Sequence, residues 1–149
     1  MSNAYLFMLL ALVAGAMMPT QAATNNKMAV IVDSPLLSAF ISFLVGTVAL
    51  FVYVLVSGVP IANLTSSKDA PAIAWIGGLL GAFFVTAAVV LVPRLGVAMT
   101  FSLIIAGQMI ATLIIDHFGL LGVPVKEVSV ARLGGIVLIA AGVVLIRRF

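Results

Sequence analysis

Charge is what this sequence has least of. Asp, Glu, Lys and Arg make up 7% of the 149 residues, whereas 64% are hydrophobic and the mean hydropathy is +1.38. Soluble domains carry roughly 25% charged residues, and a soluble domain near 150 residues still exposes about 30% of its unfolded-chain surface. A chain with so little polar surface cannot fold as a water-soluble globule. The composition therefore predicts an integral membrane protein.

Cysteine is absent and histidine occurs once. The first absence excludes disulfides and thiolate chemistry. A lone His with scattered carboxylates has no metal-ligand spacing, and no nucleophile, base and orienting group can be assembled for an enzyme. The seven Lys and Arg residues are spread singly and form no nucleic-acid-binding stripe. We expect no enzymatic activity, no metal, no cofactor and no nucleic-acid partner.

Five apolar segments are each close to the ~20 residues that a helix needs to cross the hydrocarbon core. The sequence predicts an all-α membrane protein, residues 1–149 forming a single domain, with helices at about 5–27, 35–56, 71–92, 95–115 and 128–146. "DSP" before the second helix predicts an N-cap at Ser34 followed by Pro35, and "KDAP" before the third repeats the pattern. "VPRLG", residues 92–96, predicts a tight turn, and residues 57–70 a surface loop.

The first helix admits another interpretation. Residues 5–18 resemble a signal-peptide core, and "QAAT" supplies small residues after it. The preceding "MSNA" lacks the positive charge of a secretory signal. We therefore expect an uncleaved helix.

The cations are balanced between the two membrane sides. Five spans put Lys68, Lys126 and Arg132 on the N-terminal side, and Lys27, Arg94, Arg147 and Arg148 on the other. Three against four is hardly the excess that orients a membrane protein. The residues Tyr5, Tyr53 and Trp75 all fall near the N-terminal side, although aromatic belts usually occur at both faces.

An inverted partner would supply the missing belt. We therefore predict an antiparallel homodimer of ten helices in the lipid bilayer, the inverted arrangement that secondary transporters use for alternating access. The alternative is a weakly biased protein that inserts one way.

Six stretches of small, apolar and isolated polar residues follow one another along the chain: "AGAMMPTQAATN" (14–25), "SFLVGTVAL" (42–50), "IGGLLGAFFV" (76–85), "PRLGVA" (93–98), "AGQMIATLIIDHFGLLGVP" (106–124) and "RLGGIVLIAAGVVLI" (132–146). In this order they closely resemble the YdcZ-like inner-membrane proteins, a family of unknown function in the drug/metabolite transporter superfamily. The "GQ…IDHFG" block is the most specific part. The resemblance implies a five-helix bacterial inner-membrane unit assembled as antiparallel pairs, and it names no substrate.

The same superfamily contains the small multidrug resistance transporters, which couple export to protons through a Glu in the first helix. The present chain has no carboxylate inside any predicted span. This departure favours a neutral or zwitterionic solute, or passive facilitation, over proton-driven export of cationic drugs.

Polar side chains within the predicted spans are candidates for a substrate pathway. In an inverted dimer, Gln108 of one subunit and Gln21 of its partner would lie at depths only roughly 3 Å apart. We predict a shared pathway lined by Thr20, Gln21, Thr24, Asn25, Ser102 and Gln108. Pro19 removes a backbone donor and is predicted to break the first helix. The alternative is that these side chains only form interhelical hydrogen bonds.

Asp116 and His117 end the fourth predicted helix. A carboxylate there faces the negative end of the helix dipole and needs a cation or a proton. Lys68, Lys126 and Arg132 are the same-side cations. Asp116 is then either a structural cap or surface pair, or a gate or proton-coupling residue with His117 as a relay.

Small residues at helical spacing predict close packing. The third helix has Gly77 and Gly81, and the fifth has Ala131 and Gly135, with Gly142 seven residues further on. The fifth helix is our candidate for dimerisation, and packing within the subunit is the alternative.

The sequence thus predicts a small secondary transporter subunit that moves a small metabolite or drug-like solute by alternating access as an antiparallel homodimer. The alternative is a non-transporting membrane scaffold whose polar residues only hold helices together. That alternative predicts that Gln21 and Gln108 tolerate replacement by Leu.

Overall fold

The computed structural model describes residues 2–148, and the side chains of residues 4–148. These residues form five α-helices: α1 (Ser2–Ile31), α2 (Pro35–Val56), α3 (Ala72–Leu95), α4 (Val97–Phe118) and α5 (Val130–Arg148). Two 3-10 segments, Ile61–Asp69 and Leu120–Gly122, follow α2 and α4. Each of the five helices is long and apolar enough to cross a membrane. The prediction of an all-helical chain with five candidate membrane-spanning helices is confirmed.

The helix bounds differ from the sequence prediction most at α1, which begins three residues earlier and ends four residues later than predicted. Helix α3 continues through Pro93 to Leu95, so the break predicted over residues 92–96 is confined to Gly96. Proline removes one backbone donor, and a membrane helix tolerates this loss when its other bonds hold. Gly96 separates α3 from α4, and its φ of 78° favours glycine.

The described chain divides into two compact units, the first ending at Pro93 and the second beginning at Arg94. The first contains α1, α2 and nearly all of α3, and the second contains α4 and α5. The prediction of one five-helix domain stays a prediction.

The turn between α1 and α2 is fixed by hydrogen bonds at both helix ends. The Ser34 amide donates to the Ala29 carbonyl at 3.0 Å, with Asp33 at a φ of 49°, which is the Schellman arrangement that closes a helix. The Ser34 hydroxyl then accepts from the Leu37 amide at 3.2 Å, and Pro35 occupies the first turn of α2. The predicted N-cap is confirmed.

Burial in this chain is the reverse of that in a soluble domain. The buried apolar residues are small or β-branched: Ala22, Ala39, Val85, Ala88 and Val89. Three of the buried residues are polar: Asn25, Ser38 and Thr100. Large apolar side chains such as Leu12 and Phe83 are more than 70% exposed, as suits contact with lipid. These three polar residues are covered by the chain itself, whereas large apolar side chains such as Leu12 and Phe83 are not.

Candidate functional site

One face of α1 carries two amide side chains, of which Asn25 is buried and Gln21 is exposed. Met18, Gln21, Ala22 and Asn25 recur at the three- and four-residue spacing that aligns side chains on one helix face. They line a narrow crevice whose opposite wall is formed by Phe84, Val85 and Ala88 of α3. The crevice is too narrow to admit a water molecule.

Two side-chain hydrogen bonds join this part of α1 to α2. The buried Ser38 hydroxyl donates to the Asn25 carbonyl at 2.6 Å. The Gln21 amide nitrogen lies 3.5 Å from the Ser42 hydroxyl, at the long limit for such a bond. The first contact is short and covered, whereas the second is long and exposed. The hydrogen bond of the Gln21 amide is therefore the more easily broken of the two.

The side-chain amide of Asn25 is buried without a partner. Asn25 is 7% exposed, and its Nδ2 has no hydrogen-bond acceptor among the described residues. Leaving a buried donor unsatisfied costs about 1–3 kcal/mol. Such a group in a native fold requires a specific explanation, such as a strained or ligand-binding role.

The predicted break at Pro19 is not observed, because α1 is continuous from Ser2 to Ile31. Proline removes only the bond that its own amide would donate, and the bonds on either side maintain the helix. The Thr20 hydroxyl donates to the Ala16 carbonyl at 2.9 Å, and that of Thr24 to the Gln21 carbonyl at 2.9 Å. Both Thr hydroxyls therefore donate to backbone carbonyls of α1 itself.

On α4, the predicted pathway residues differ in exposure. Ser102 is half-buried and Gln108 is exposed. The sequence analysis missed Thr100, which is 1% exposed and whose hydroxyl has no partner among the described residues. Thr100 is the most buried polar residue described in the second unit.

Asp116 pairs with Arg132, one of its three candidate cations. An Arg132 guanidinium nitrogen lies 3.3 Å from the Asp116 carboxylate and also donates to the Lys126 carbonyl at 3.2 Å. Asp116 ends α4 and Arg132 lies in the first turn of α5, so each charge by itself opposes the nearby helix dipole. The pair offsets both unfavourable positions.

The loop after α4 folds back onto the end of that helix. Gly119 caps α4 in the left-handed conformation, with a φ of 59°, and a Cβ there would lie 2.7 Å from a Val125 methyl carbon. The Lys126 amide donates to the Asp116 carbonyl at 2.8 Å. His117 is exposed, and its Nδ1 accepts a long 3.4 Å bond from the Val128 amide. His117 therefore takes part in the contact between α4 and the loop.

An apolar groove of about 300 Å³ runs between α4 and α5 and ends at the ion pair. Thr112 is its remaining polar side chain, and Gly135 lies in its floor. The other lining residues are Met109, Leu113, Ile136 and Ile139.

The predicted packing glycines have different surroundings. A Cβ at Gly81 would meet the Phe43 ring at 3.3 Å, so Gly81 permits close packing of α3 on α2. A Cβ at Gly77, Gly135 or Gly142 would meet nothing within 4 Å, and Ala131 is exposed. Dimerisation through α5 stays a prediction.

The sequence analysis also missed the partners of the α1 amides, although the pattern contained a signal. Asn25 and Ser38 are equidistant in sequence from the centre of the α1–α2 turn, and so are Gln21 and Ser42. Antiparallel neighbouring helices bring such positions to the same level. Ser38, Ser42 and Gly46 recur at four-residue spacing, and such a stripe of small residues equally predicts ordinary helix packing.

These features define a multi-span helical membrane protein whose covered interior is partly polar. The chain belongs to the DMT_YdcZ family, described as "Putative inner membrane exporter, YdcZ", whose model matches residues 6–145. It is accordingly an inner-membrane protein, and the family description indicates transport rather than catalysis. No curated protein and no solved structure matches the chain.

The unpartnered Asn25 amide and the short Ser38 hydroxyl bond predict that substitutions at these two residues have opposite effects on stability. Ser38→Ala removes a covered hydrogen bond and should lower the free energy of unfolding by about 1 kcal/mol. Asn25→Leu preserves the branched shape while removing an unsatisfied donor, so the stability should be unchanged or higher. Thermal unfolding in detergent micelles measures both. Equal destabilisation by the two variants would show that the Asn25 amide has a partner.

The ion pair predicts a rescue by charge reversal. Asp116→Asn and Arg132→Gln should each lower stability modestly, since partly exposed pairs contribute roughly 0.2–1 kcal/mol. The double variant Asp116→Arg, Arg132→Asp should recover the loss, because each new charge suits its helix end. The same unfolding assay, analysed as a double-mutant cycle, gives the coupling energy. A reversed pair no better than the singles would argue against pairing.

Proposed function

We propose that this chain is the subunit of a small secondary transporter that exports a small metabolite or drug-like solute by alternating access as an antiparallel homodimer. The observation that carries the proposal is the Asn25 side chain, which is polar yet buried in the crevice between α1 and α3, with the exposed Gln21 one turn away. Covering polar groups while leaving large apolar side chains outside suits a protein that conducts a polar solute through lipid. Membership of an exporter family supports the same conclusion.

The antiparallel arrangement is supported by the near balance of Lys and Arg between the two membrane sides. A homodimer of inverted subunits would supply the two-fold symmetry that alternating access exploits in inverted-repeat transporters. In this proposal α5 supplies the dimer contact, because its glycines Gly135 and Gly142 leave room for close approach.

The proposed pathway consists of the uncharged polar residues of α1 together with Ser102 and Gln108 of α4. Thr20 and Thr24 are exposed alongside Gln21, although their hydroxyls are bonded to the helix backbone. Asp116, with His117 beside it, is the proposed gate near the end of α4. Its bond to Arg132 is the contact that such a gate would open and close.

A second candidate function is a non-transporting scaffold. The contacts from Ser38 to Asn25 and from Gln21 to Ser42 favour it, because both join α1 to α2 as structural hydrogen bonds would. The two functions differ in what they require of Gln21. A pathway residue must offer its amide to a solute, whereas a structural residue needs only to hold α2.

Topology tests the homodimer directly. Helix α2 rises about 33 Å between the turn at Asp33 and the 3-10 segment containing Ser66, so these positions lie on opposite membrane sides. The chain lacks Cys, and Asp33→Cys and Ser66→Cys can be labelled separately with an impermeant thiol reagent on intact cells. Comparable labelled fractions at both positions are expected. If one position labels and the other does not, the antiparallel homodimer is wrong.

Gln21→Leu separates the transporter from the scaffold. In a strain lacking the chain, we expect the wild type to raise the tolerance of a toxic exported solute and Gln21→Leu to leave it unchanged, while membrane abundance and thermal stability differ little between the two. The contact that the variant loses is exposed and long, so its structural cost is small. Ser42→Ala is the matched control, because it removes the same contact and retains the amide. Equal resistance in both variants and the wild type would favour the scaffold.

A further inference from the structure

The crevice between α1 and α3 contains a hydrogen-bond donor, the Asn25 side-chain amide, that lacks an acceptor among the described residues. Asn25 is more than nine-tenths buried, its Nδ2 has no acceptor among the described residues, and it lines the crevice. The crevice cannot admit a water molecule, so solvent cannot satisfy this amide in the present conformation. Widening of the crevice around an acceptor would satisfy this donor.

The neighbours of Asn25 determine which part of the contact can move. The Ser38 hydroxyl holds the Asn25 carbonyl at 2.6 Å, so the backbone of α1 is fixed here. Met18 and Phe84, which line the crevice, are half-buried, and Met is an unbranched, flexible side chain. Widening can therefore proceed by movement of Met18 and Phe84 while α1 and α2 stay joined.

The lining also restricts the charge of the occupant. Its polar members are the uncharged amides Gln21 and Asn25, and the remaining members are apolar. The charged residues of the first unit, Lys27, Asp33, Lys68 and Asp69, are not among the lining residues. A carboxylate or an ammonium group would lose its hydration here without gaining an opposite charge. A neutral carbonyl has no such penalty and accepts directly from an amide.

We infer that the α1–α3 crevice is a binding site for the uncharged carbonyl or carboxamide group of a small solute, with Asn25 Nδ2 as the donor. Gln21 lies one turn away on the same face, and its long bond to Ser42 leaves its amide available for a second polar group of the solute. This inference rests on the proposed transport function, since it names the class of solute carried. It predicts selection by hydrogen bonding, with no contribution from charge.

The test uses a thiol placed in the crevice of the otherwise Cys-free, full-length chain. Met18→Cys in membranes is alkylated with N-ethylmaleimide, with and without acetamide as the uncharged carboxamide probe. Acetate and ethylammonium serve as anionic and cationic probes of similar size. Acetamide is expected to slow alkylation, and the charged probes are not. Thr47→Cys, on the exposed surface of α2 outside the crevice, should react at the same rate with every probe.

Asn25→Leu in the Met18→Cys background identifies the donor. The acetamide concentration giving half-protection should rise about fivefold, since one net hydrogen bond changes affinity by roughly two- to tenfold. If the Leu variant is not recovered folded, Asn25→Ala provides the same comparison. An absence of protection, equal protection by the charged probes, or an unchanged half-protecting concentration would each overturn the inference.

The outcomes separate this site from the wider proposal. Loss of protection in a chain that still labels at both Asp33→Cys and Ser66→Cys would reject the carboxamide site and leave the antiparallel transporter standing. Protection that requires Asn25, in a chain that inserts in one orientation, would establish the site and reject the homodimer.

Discussion

A hydrogen bond from the Ser38 hydroxyl to the Asn25 carbonyl is the contact on which the first unit depends. At 2.6 Å and fully covered, it fixes the level at which α1 and α2 meet. Because that level is fixed, Gln21 comes opposite Ser42, and the Asn25 amide lies in the crevice bounded by α3. The bond engages the backbone oxygen of Asn25 and leaves its side-chain nitrogen unpaired. The same residue thus anchors two helices and offers a buried donor.

The bilayer explains why the chain can be stable with so small a covered core. Large side chains such as Leu79 and Phe83 are exposed on α3, whereas a residue as small as Ala88 is covered. Lipid is as apolar as leucine, so burying large apolar side chains between helices gains little. Close packing of small residues and interhelical hydrogen bonds hold such helices together instead. Gly81 against the Phe43 ring is one example of that packing.

The sequence predicted those features of the fold that short-range interactions determine. The limits of α2 follow from Ser34 and Pro35, because capping and proline geometry operate within one turn of the chain. Pro93 misled the prediction, since proline indicates a helix end in water but is tolerated within a membrane helix. The choice of Arg132 for Asp116 depends on a loop that Gly119 folds back onto α4. Spacing along the sequence does not reveal that loop geometry. It therefore could not distinguish Arg132 from Lys68 and Lys126 as the partner of Asp116.

The uncharged and the charged polar groups of this chain lie on different helices. The uncharged donors Gln21 and Asn25 lie within α1, whereas the carboxylate of Asp116 lies near the end of α4, paired with Arg132. The amides that α1 offers to a solute are therefore uncharged.

The proposed gate opens by releasing Arg132, whose guanidinium lies 3.3 Å from the Asp116 carboxylate. Release would leave Arg132 as an unpaired cation in the first turn of α5, facing the positive end of the helix dipole. Opening the gate therefore carries an electrostatic cost, whereas the amides of α1 carry no charge and need no ion pair. The arrangement of charge thus favours a carrier that selects its solute by hydrogen bonding and needs no titrating residue among its binding groups.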